Sequence, residues 1–272
     1  MAILQKYEAI QFHRAMARGF TSPFLITAKH ETTDAEEILV VKSRAGYKNR
    51  EGAIFKEIFS TLLARELGLH TPEPVIVNLP TGFEFGAADC ERSYELIKAS
   101  MGLNFATIHL GNDWKTWGSG TPRNIPSDDL ERIFTFDALI QNADRKRDNP
   151  NLHWKGEQVA AFDFDRALAY MDSHTMEKSW RKVIAMLQIK EHVLYSHLPS
   201  HQANTVTGQD LWESMEEWSY RSTPDQLVEG DAQQPPLNAL DNPSLHRIYD
   251  YFKSLLRDPT DFFEYLTAHT TK

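Results

Sequence analysis

The segment 126–163 constrains what this chain can fold into more than any other stretch of the sequence. It opens on Pro-Ser-Asp, a helix-start signal, and apolar residues at helical spacing predict a helix over Pro126–Asn142. A polar loop, Asn142–Asn151, follows. Two short apolar runs around a Lys-Gly-Glu turn then predict a β-hairpin over 152–162, directly before the carboxylate of Asp163. A charged group at the end of a buried strand needs a partner or a metal, so we expect a functional site here.

The first hundred residues have the patterns of strands and of one helix. Phe24–Ala28 and Ile38–Lys42 are short runs rich in apolar and β-branched residues on either side of a polar stretch, which predicts a hairpin. Ala53–Leu67 carries apolar residues on two adjacent helical tracks, with Gly68 in the position of a C-terminal cap. The remaining predicted elements are strands over Val75–Leu79 and Tyr94–Lys98, mostly helix over Glu177–His197, and helices near Asp210–Tyr220 and over Ser244–Leu266.

A change of character near residue 102 predicts two parts. Met101–Asn104 is predicted as a hinge with Gly102 as its flexible point, and helices and loops are predicted to dominate from about Phe105. Strands plus one helix, then a hinge, then a mostly helical half is the layout of a two-lobed α+β protein. We therefore predict a small β-rich N-lobe over residues 1–102 and a larger helical C-lobe over residues 103–272.

Composition excludes several classes of protein. The hydrophobic fraction of 41% is ordinary for a globular protein, and no apolar run reaches the roughly 18–20 residues that span a bilayer. The start of the chain carries no export signal, and the single cysteine, Cys90, cannot form an internal disulfide. These features predict a cytoplasmic protein without membrane contact.

The charge pattern argues against direct binding of nucleic acid. The net charge is −9, whereas a protein that holds a nucleic-acid backbone is usually basic. The basic clusters are short, which suits a compact anion such as a nucleoside triphosphate, or simply a solvated surface. These clusters are Lys42–Arg44, Lys48–Arg50 and Arg145–Arg147.

The loop before the hairpin has the residue types that phosphoryl transfer requires. Asp144, Asn149 five residues later, a hairpin and then Asp163 follow the order of the kinase catalytic loop and metal ligands. Asp144 would orient the acceptor hydroxyl and take its proton, while Asn149 and Asp163 offer the oxygen ligands that Mg²⁺ prefers. Asp165 stands where the kinase D-F-G triplet has glycine and could be the ligand instead. The bare D-x4-N spacing is also compatible with a polar surface loop built on an Asn-Pro turn.

Residues of the first part could bind phosphates. Lys42 ends an apolar strand like the kinase lysine that contacts the α- and β-phosphates, and Glu57 on the next helix could hold it. Glu57 lies outside the apolar arc of its helix, which is compatible with this pairing and equally with solvent exposure. The loop Arg18–Pro23 contains Thr21 and Ser22, whose hydroxyls and N–H groups could cradle phosphates, or it is an ordinary turn.

Taken together, these residues resemble the HipA-like kinases of bacteria, from about Gly19 to Ala169. The strings that carry the resemblance are Val40-Val-Lys42, Phe55-Lys-Glu57, Leu63–Pro74, Phe85-Gly86, Asn142-Ala-Asp-Arg145, Asn149-Pro-Asn151 and Phe162-Asp163. The resemblance implies a protein-kinase-like fold and transfer from ATP with Mg²⁺ to serine or threonine on a protein. Some members belong to toxin–antitoxin pairs and act on aminoacyl-tRNA synthetases, so an antitoxin or other regulatory protein is a possible partner.

The resemblance also assigns roles. It implies Lys42 on the phosphates with Glu57 as its partner, Asp144 as base, and Asn149 with Asp163 on magnesium. Some HipA-like proteins phosphorylate themselves in the phosphate loop, for which Thr21 and Ser22 are the candidates here.

The sequence departs from conventional kinases and leaves other functions open. It lacks G-x-G-x-x-G, H-R-D and A-P-E, so it does not match the eukaryotic-type kinases. The chain is also shorter than the two-part HipA toxins. A small-molecule phosphotransferase on the same fold, or a pseudokinase acting as a nucleotide-binding regulatory module, are the alternatives. The spaced histidines His192, His197 and His201 are interpreted as packing or surface residues, because Pro199 interrupts any helix that would align them on a metal.

Overall fold

The computed structural model describes residues 4–17, 19–47, 52–121, 124–168, 180–181, 189–198, 213–214 and 244–270. It separates into two compact units, and the division falls inside a helix, between Ile58 and Phe59. The first unit holds the described residues up to Ile58 together with Pro72–Gly111, and the second holds Phe59–Thr71 and the described residues from Asn112 onward. The lobe boundary at residue 102 and the two-lobed arrangement stay predictions.

The first unit is built on a closed five-stranded barrel. The strands are β1 (Gln5–Ala15), β2 (Phe24–His30), β3 (Glu36–Lys42), β4 (Pro74–Leu79) and β5 (Gly102–Ile108). Around the barrel the strand order is β1-β2-β3-β5-β4, and every neighbouring pair is antiparallel except β1 with β4. The hairpin predicted from the two apolar runs is confirmed as β2 and β3, whereas no specific prediction was made for β1.

Side-chain alternation in β2 and β3 explains the barrel core. Phe24 and Ile26 of β2 and Leu39 and Val41 of β3 are fully buried inside the barrel. Because successive side chains of a strand point to opposite faces, Lys42 lies on the outer face of the barrel. The same apolar run therefore both fills the core and directs the lysine away from it.

Helix α1 (Ala53–Glu66) confirms the predicted helix and its cap. Gly68 has φ 75°, in the left-handed region, its N–H bonds to the carbonyl of Arg65, and Leu69 N–H bonds to that of Ala64. These two bonds form a Schellman motif, in which glycine accepts the positive φ without a Cβ penalty. The Leu-Gly-Leu-x-x-Pro-Glu-Pro run thus ends α1 and leads into β4.

The predicted strand over Tyr94–Lys98 is wrong, because this stretch belongs to helix α2 (Glu91–Lys98). Ser93 and Ile97, one helical turn apart, are buried, while the charged residues between and around them face solvent. This is the spacing of an amphipathic helix rather than the period-two alternation of a strand.

The prediction of a hinge at Met101–Asn104 is also wrong, because most of this segment belongs to a strand. Gly102 starts strand β5, and Phe105, where helices were expected to begin, continues it. The Asn104 side chain donates to the carbonyls of Ser100 and Gly102, at 2.7 and 2.8 Å, and so fixes the start of the strand. Strand β5 forms because β3 and β4, distant in sequence, both pair with it, and no local pattern reveals such partners.

The second unit combines helices with a small sheet. Helix α3 (Ser127–Leu139) and the hairpin of β7 (Leu152–Lys155) and β8 (Gln158–Ala161) confirm the predictions, and β6 (Lys115–Thr116) adds a third antiparallel strand. The predicted C-terminal helix is two helices, α4 (Ser244–Arg257) and α5 (Pro259–Thr270), because proline starts a helix well but cannot continue one.

The predictions for Glu177–His197 and Asp210–Tyr220 lie largely outside the described residues. Where residues 189–191 and 195–197 are described, they form short 3₁₀ helices instead of α-helix. Among the described helices, none combines the length and the apolar character that crossing a membrane requires.

Candidate functional site

Lys42 and Glu57 form a largely buried ion pair in the first unit. The Lys42 Nζ and Glu57 Oε1 atoms are 2.8 Å apart, with 12% of the lysine and 2% of the glutamate side chain exposed. Strand β3 directs the lysine outward and α1 directs the glutamate toward it. The solvent-exposed alternative for Glu57 is therefore excluded, and the pairing that the resemblance implies is present. The role of this pair toward phosphates stays a prediction.

The loop with Thr21 and Ser22 is the turn of the β1–β2 hairpin. Met16 N–H donates to Pro23 O at 2.8 Å and Ser22 N–H donates to Gly19 O at 3.1 Å, which closes the turn. Thr21 is buried, whereas Ser22 is half-buried and has φ 51°. The turn is thus a shaped loop with one residue anchored inward, and its binding of phosphates stays a prediction.

We expect Gly46→Ala to destabilise the protein by disturbing this turn. A Cβ on Gly46 would lie 2.3 Å from the backbone oxygen of Thr21, a contact that side-chain rotation cannot relieve. Overpacking of this kind costs about 1–3 kcal/mol, measured as the change in the free energy of unfolding in urea. Gly120→Ala is the control, since its added Cβ would meet no atom within 4 Å. Equal stability of both variants would contradict the close packing of Gly46 on the turn.

The structure brings Asp144 and Asn149 together in the second unit. The Asn149 amide nitrogen donates to the Asp144 carboxylate at 2.9 Å, and the Asn142 side-chain oxygen accepts the Asp144 backbone N–H at 3.2 Å. Arg166 places a guanidinium nitrogen 3.8 Å from the other carboxylate oxygen. Because the nitrogen of the Asn149 amide faces Asp144, its oxygen is the atom suited to bind a cation.

Asp163 and Asp165 lie directly after β8, as the sequence predicts. Their carboxylate oxygens are within 4.8 Å of each other, a spacing at which both could bind one divalent cation. Asp163 has φ 63°, a conformation that non-glycine residues rarely adopt and that is often found at functional sites. Two hard oxygen donors fit Mg²⁺, which prefers carboxylates and water over nitrogen or sulfur.

Arg145 connects the Asp144 loop to the end of the hairpin. Its side chain is buried, and one guanidinium nitrogen donates to the carbonyls of Asn151, at 2.6 Å, and of Phe162, at 3.2 Å. Phe162 directly precedes Asp163. A single cationic side chain therefore ties the base candidate to the segment of the metal-ligand candidates.

Asp137 is a buried residue of α3 that the sequence reasoning missed. Its carboxylate binds Arg145, accepts from Asn142 at 2.8 Å and lies 3.1 Å from Nε2 of His192. The signal was available, since Asp137 is a lone acidic residue within the apolar stretch Phe134–Ile140, and a buried carboxylate requires partners.

Opposing effects set the protonation of Asp137 and His192. Burial alone would raise the pKa of Asp137, yet Arg145 and His192 outweigh it and hold the pKa below its ordinary value. The stability from this carboxylate is thus present above its unfolded-state pKa of about 3.9 and is lost as the pH falls through the folded-state pKa. Burial also lowers the pKa of His192, against the opposing effect of Asp137, so the imidazole is neutral at pH 7.

Comparison with known families identifies the family of this chain. The sequence model of the HipA-like kinase family matches residues 9–234, most of the chain. The chain belongs to the HipA-like kinase family. This membership supports a kinase-like phosphotransferase. A comparison with the curated proteins found no match.

Several solved structures are similar to the chain at low sequence identity. The proinflammatory kinase CtkA of Helicobacter pylori is 10% identical, with 98% of this chain and 97% of that chain covered, at a TM-score of 0.47. PAN3 of Neurospora crassa, solved as its pseudokinase and C-terminal parts in complex with PAN2, is 12% identical. The match covers 93% of this chain and 68% of that chain, at a TM-score of 0.34.

Proposed function

We propose that this chain transfers the γ-phosphoryl group of ATP, with Mg²⁺, to a serine or threonine hydroxyl of a protein. The observation that carries the proposal is the loop of the second unit, in which Asp144 and Asn149 are hydrogen-bonded and Arg145 ties them to the segment of Asp163. A positioned carboxylate and oxygen ligands for a hard cation are the groups that phosphoryl transfer needs. Family membership supports the same class of reaction.

Asp144 acts as the base in this proposal. Its carboxylate accepts the proton of the acceptor hydroxyl as that oxygen bonds to the γ-phosphorus and the bond to the β,γ-bridging oxygen breaks, which yields a phosphomonoester and ADP. The Asn149 side chain donates a hydrogen bond to this carboxylate, and the Asp144 backbone N–H donates one to the Asn142 side chain. Together these two bonds hold the carboxylate in one orientation. Positioning of this kind supplies much of the rate enhancement in phosphoryl transfer.

The remaining residues bind and neutralise the nucleotide. Asn149, Asp163 and Asp165 would hold the magnesium ion, which supplies charge neutralisation on the phosphates when bound. In the first unit, the ammonium of Lys42 would contact phosphate oxygens while Glu57 keeps it in place. A two-lobed kinase arrangement, and an antitoxin or other regulatory partner, are part of the proposal.

Thermal unfolding with Mg²⁺ and ATP tests nucleotide binding. A ligand at a hundred times its dissociation constant adds about 2.7 kcal/mol to the folded state, so the wild-type melting temperature should rise only when both are present. The variant Asp163→Asn should lose most of the magnesium-dependent part of this rise, because one carboxylate ligand is replaced by a neutral amide. Asp129→Asn, an exposed position on α3, is the control and should behave like wild type. A folded wild-type protein with no shift would overturn the proposal.

A further inference from the structure

We propose that Asp137 is the positioning residue of the Asp144 loop and that His192 couples residues 189–198 to it. This inference goes beyond the proposed function because neither Asp137 nor His192 has a role in the transfer step. The expected effect on catalysis rests on the proposed function. Asp137 lies on α3, outside the loop, and the contacts that follow reach Asp144 only through other residues.

The Asp137 carboxylate accepts four hydrogen bonds, and all four come from outside its helix. One oxygen accepts from Asn142, at 2.8 Å, and from Arg145, at 3.2 Å. The other accepts from Arg145 Nε and from His192 Nε2, the latter at 3.1 Å. Four bonds use the full acceptor capacity of a carboxylate, so this buried charge is held entirely by the loop and by residue 192.

These contacts fix Asp144 from both sides. Asn142 uses its side-chain nitrogen on Asp137 and its oxygen on the Asp144 backbone N–H, at 3.2 Å. Arg145 directly follows Asp144 and is anchored on Asp137 and on the hairpin carbonyls. Moving the Asp137 carboxylate would therefore move the base candidate although the two side chains do not share a hydrogen bond in the described contacts.

His192 fits this site only in one protonation state. Leu194 N–H donates to its Nδ1 at 3.2 Å, so Nδ1 is an acceptor and Nε2 carries the hydrogen that Asp137 accepts. This neutral tautomer satisfies both neighbours, whereas a proton on Nδ1 would oppose the Leu194 N–H. Among the described residues, the charged groups around the imidazole are Asp137 and Arg145 within the buried network and the Lys146–Glu191 pair beside it.

Backbone contacts join residues 189–198 to the same loop. Val193 N–H donates to Arg145 O at 3.1 Å, and Lys146 pairs with His192 as an isolated β-bridge. The Lys146 ammonium also lies 3.5 Å from Glu191. His192 is the one residue of this segment whose side chain reaches Asp137 among the described contacts. We infer that ordering of residues 189–198 and ordering of the Asp144 loop are a single event.

The decisive experiment compares Asp137→Asn, His192→Phe and His192→Gln with wild type. Asparagine at position 137 places an NH₂ group against the N–H donors of Arg145. Phenylalanine at position 192 removes the donor to Asp137, whereas glutamine at position 192 keeps an N–H donor. Amide hydrogen exchange of residues 142–151 and 189–198, measured without nucleotide, should accelerate at least tenfold in Asp137→Asn and His192→Phe and much less in His192→Gln. Asp129→Asn on the same helix should exchange like wild type.

Steady-state transfer is the second readout. We expect kcat to fall roughly 100-fold in Asp137→Asn, the size of effect that a misplacement of about 1 Å produces, while the KM for ATP rises far less. Unchanged exchange in the loop of a folded Asp137→Asn or His192→Phe protein would overturn the inference. If Asp137→Asn does not fold, His192→Phe decides alone, because it leaves the Asp137–Arg145 pair in place. If the wild-type protein shows no transfer activity but exchange still accelerates in the variants, the result would support the positioning role and reject the proposed function.

Discussion

Replacing Asp144 with asparagine is expected to lower phosphoryl transfer by roughly 10²–10⁴-fold, the usual contribution of a positioned general base. The variant keeps the shape of the side chain, and the oxygen of its new amide can still accept the hydrogen bond from Asn149 that wild type makes at 2.9 Å. The loop should therefore retain its conformation while losing the group that takes the proton. Transfer to an acceptor protein or to the chain itself, followed by mass spectrometry, gives the rate.

The same variant should bind Mg²⁺ and ATP with nearly wild-type affinity, measured by titration calorimetry. Asp148→Asn is the matched control, because Asp148 is an exposed carboxylate of the same loop and should leave both transfer and binding unchanged. Retention of more than a tenth of the wild-type rate by Asp144→Asn would remove Asp144 from its role as base. Loss of folding in Asp144→Asn would instead indicate a structural role.

Breaking the Lys42–Glu57 pair is expected to have the largest effect on stability. Removing one partner of a buried ion pair deprives the other charge of that pairing and costs about 3–5 kcal/mol, so Lys42→Met and Glu57→Gln should each lower the free energy of unfolding by this amount. The double variant should lose much less stability than the sum of the two single variants, since both charges of the pair are then removed. Urea unfolding of all four proteins measures the coupling.

The same barrel offers a matched control in the exposed pair Lys29–Asp34. Its Nζ–Oδ1 distance is 2.9 Å, close to that of the buried pair, but 45% and 78% of the two side chains are exposed. Lys29→Met should therefore lower the free energy of unfolding far less than Lys42→Met, because solvent screens the exposed pair. Similar losses at positions 29 and 42 would contradict the burial argument. Lys42→Met should also weaken ATP binding if the lysine contacts phosphates.

Local signals predicted several elements and candidate residues directly. The apolar run that ends in Lys42, the Schellman cap at Gly68 and the hairpin after the Asp144 loop each depend on neighbours within a few residues. Their patterns are therefore visible in the sequence, and the structure contains them where predicted. The order Asp144, Asn149, Asp163 is likewise a matter of spacing along one continuous segment.

Other features depended on contacts between distant parts of the chain. Strand β5 was predicted as a hinge because its partners β3 and β4 lie far away in the sequence, and α2 was predicted as a strand because only its packing shows which face is buried. The helix pattern left two alternatives open for Glu57, namely pairing with Lys42 and exposure to solvent, and only the structure shows that it is paired and 2% exposed.

By itself, the sequence determined which chemical groups this protein has and how they are spaced along the chain, since spacing and residue type are local properties. Only the tertiary structure decided that Asp137 and Arg145 form a buried, hydrogen-bonded centre under the loop, with His192 as a neutral donor. The physical reason is that desolvation and hydrogen-bond geometry depend on groups up to 55 positions apart, and local periodicity carries no information about them.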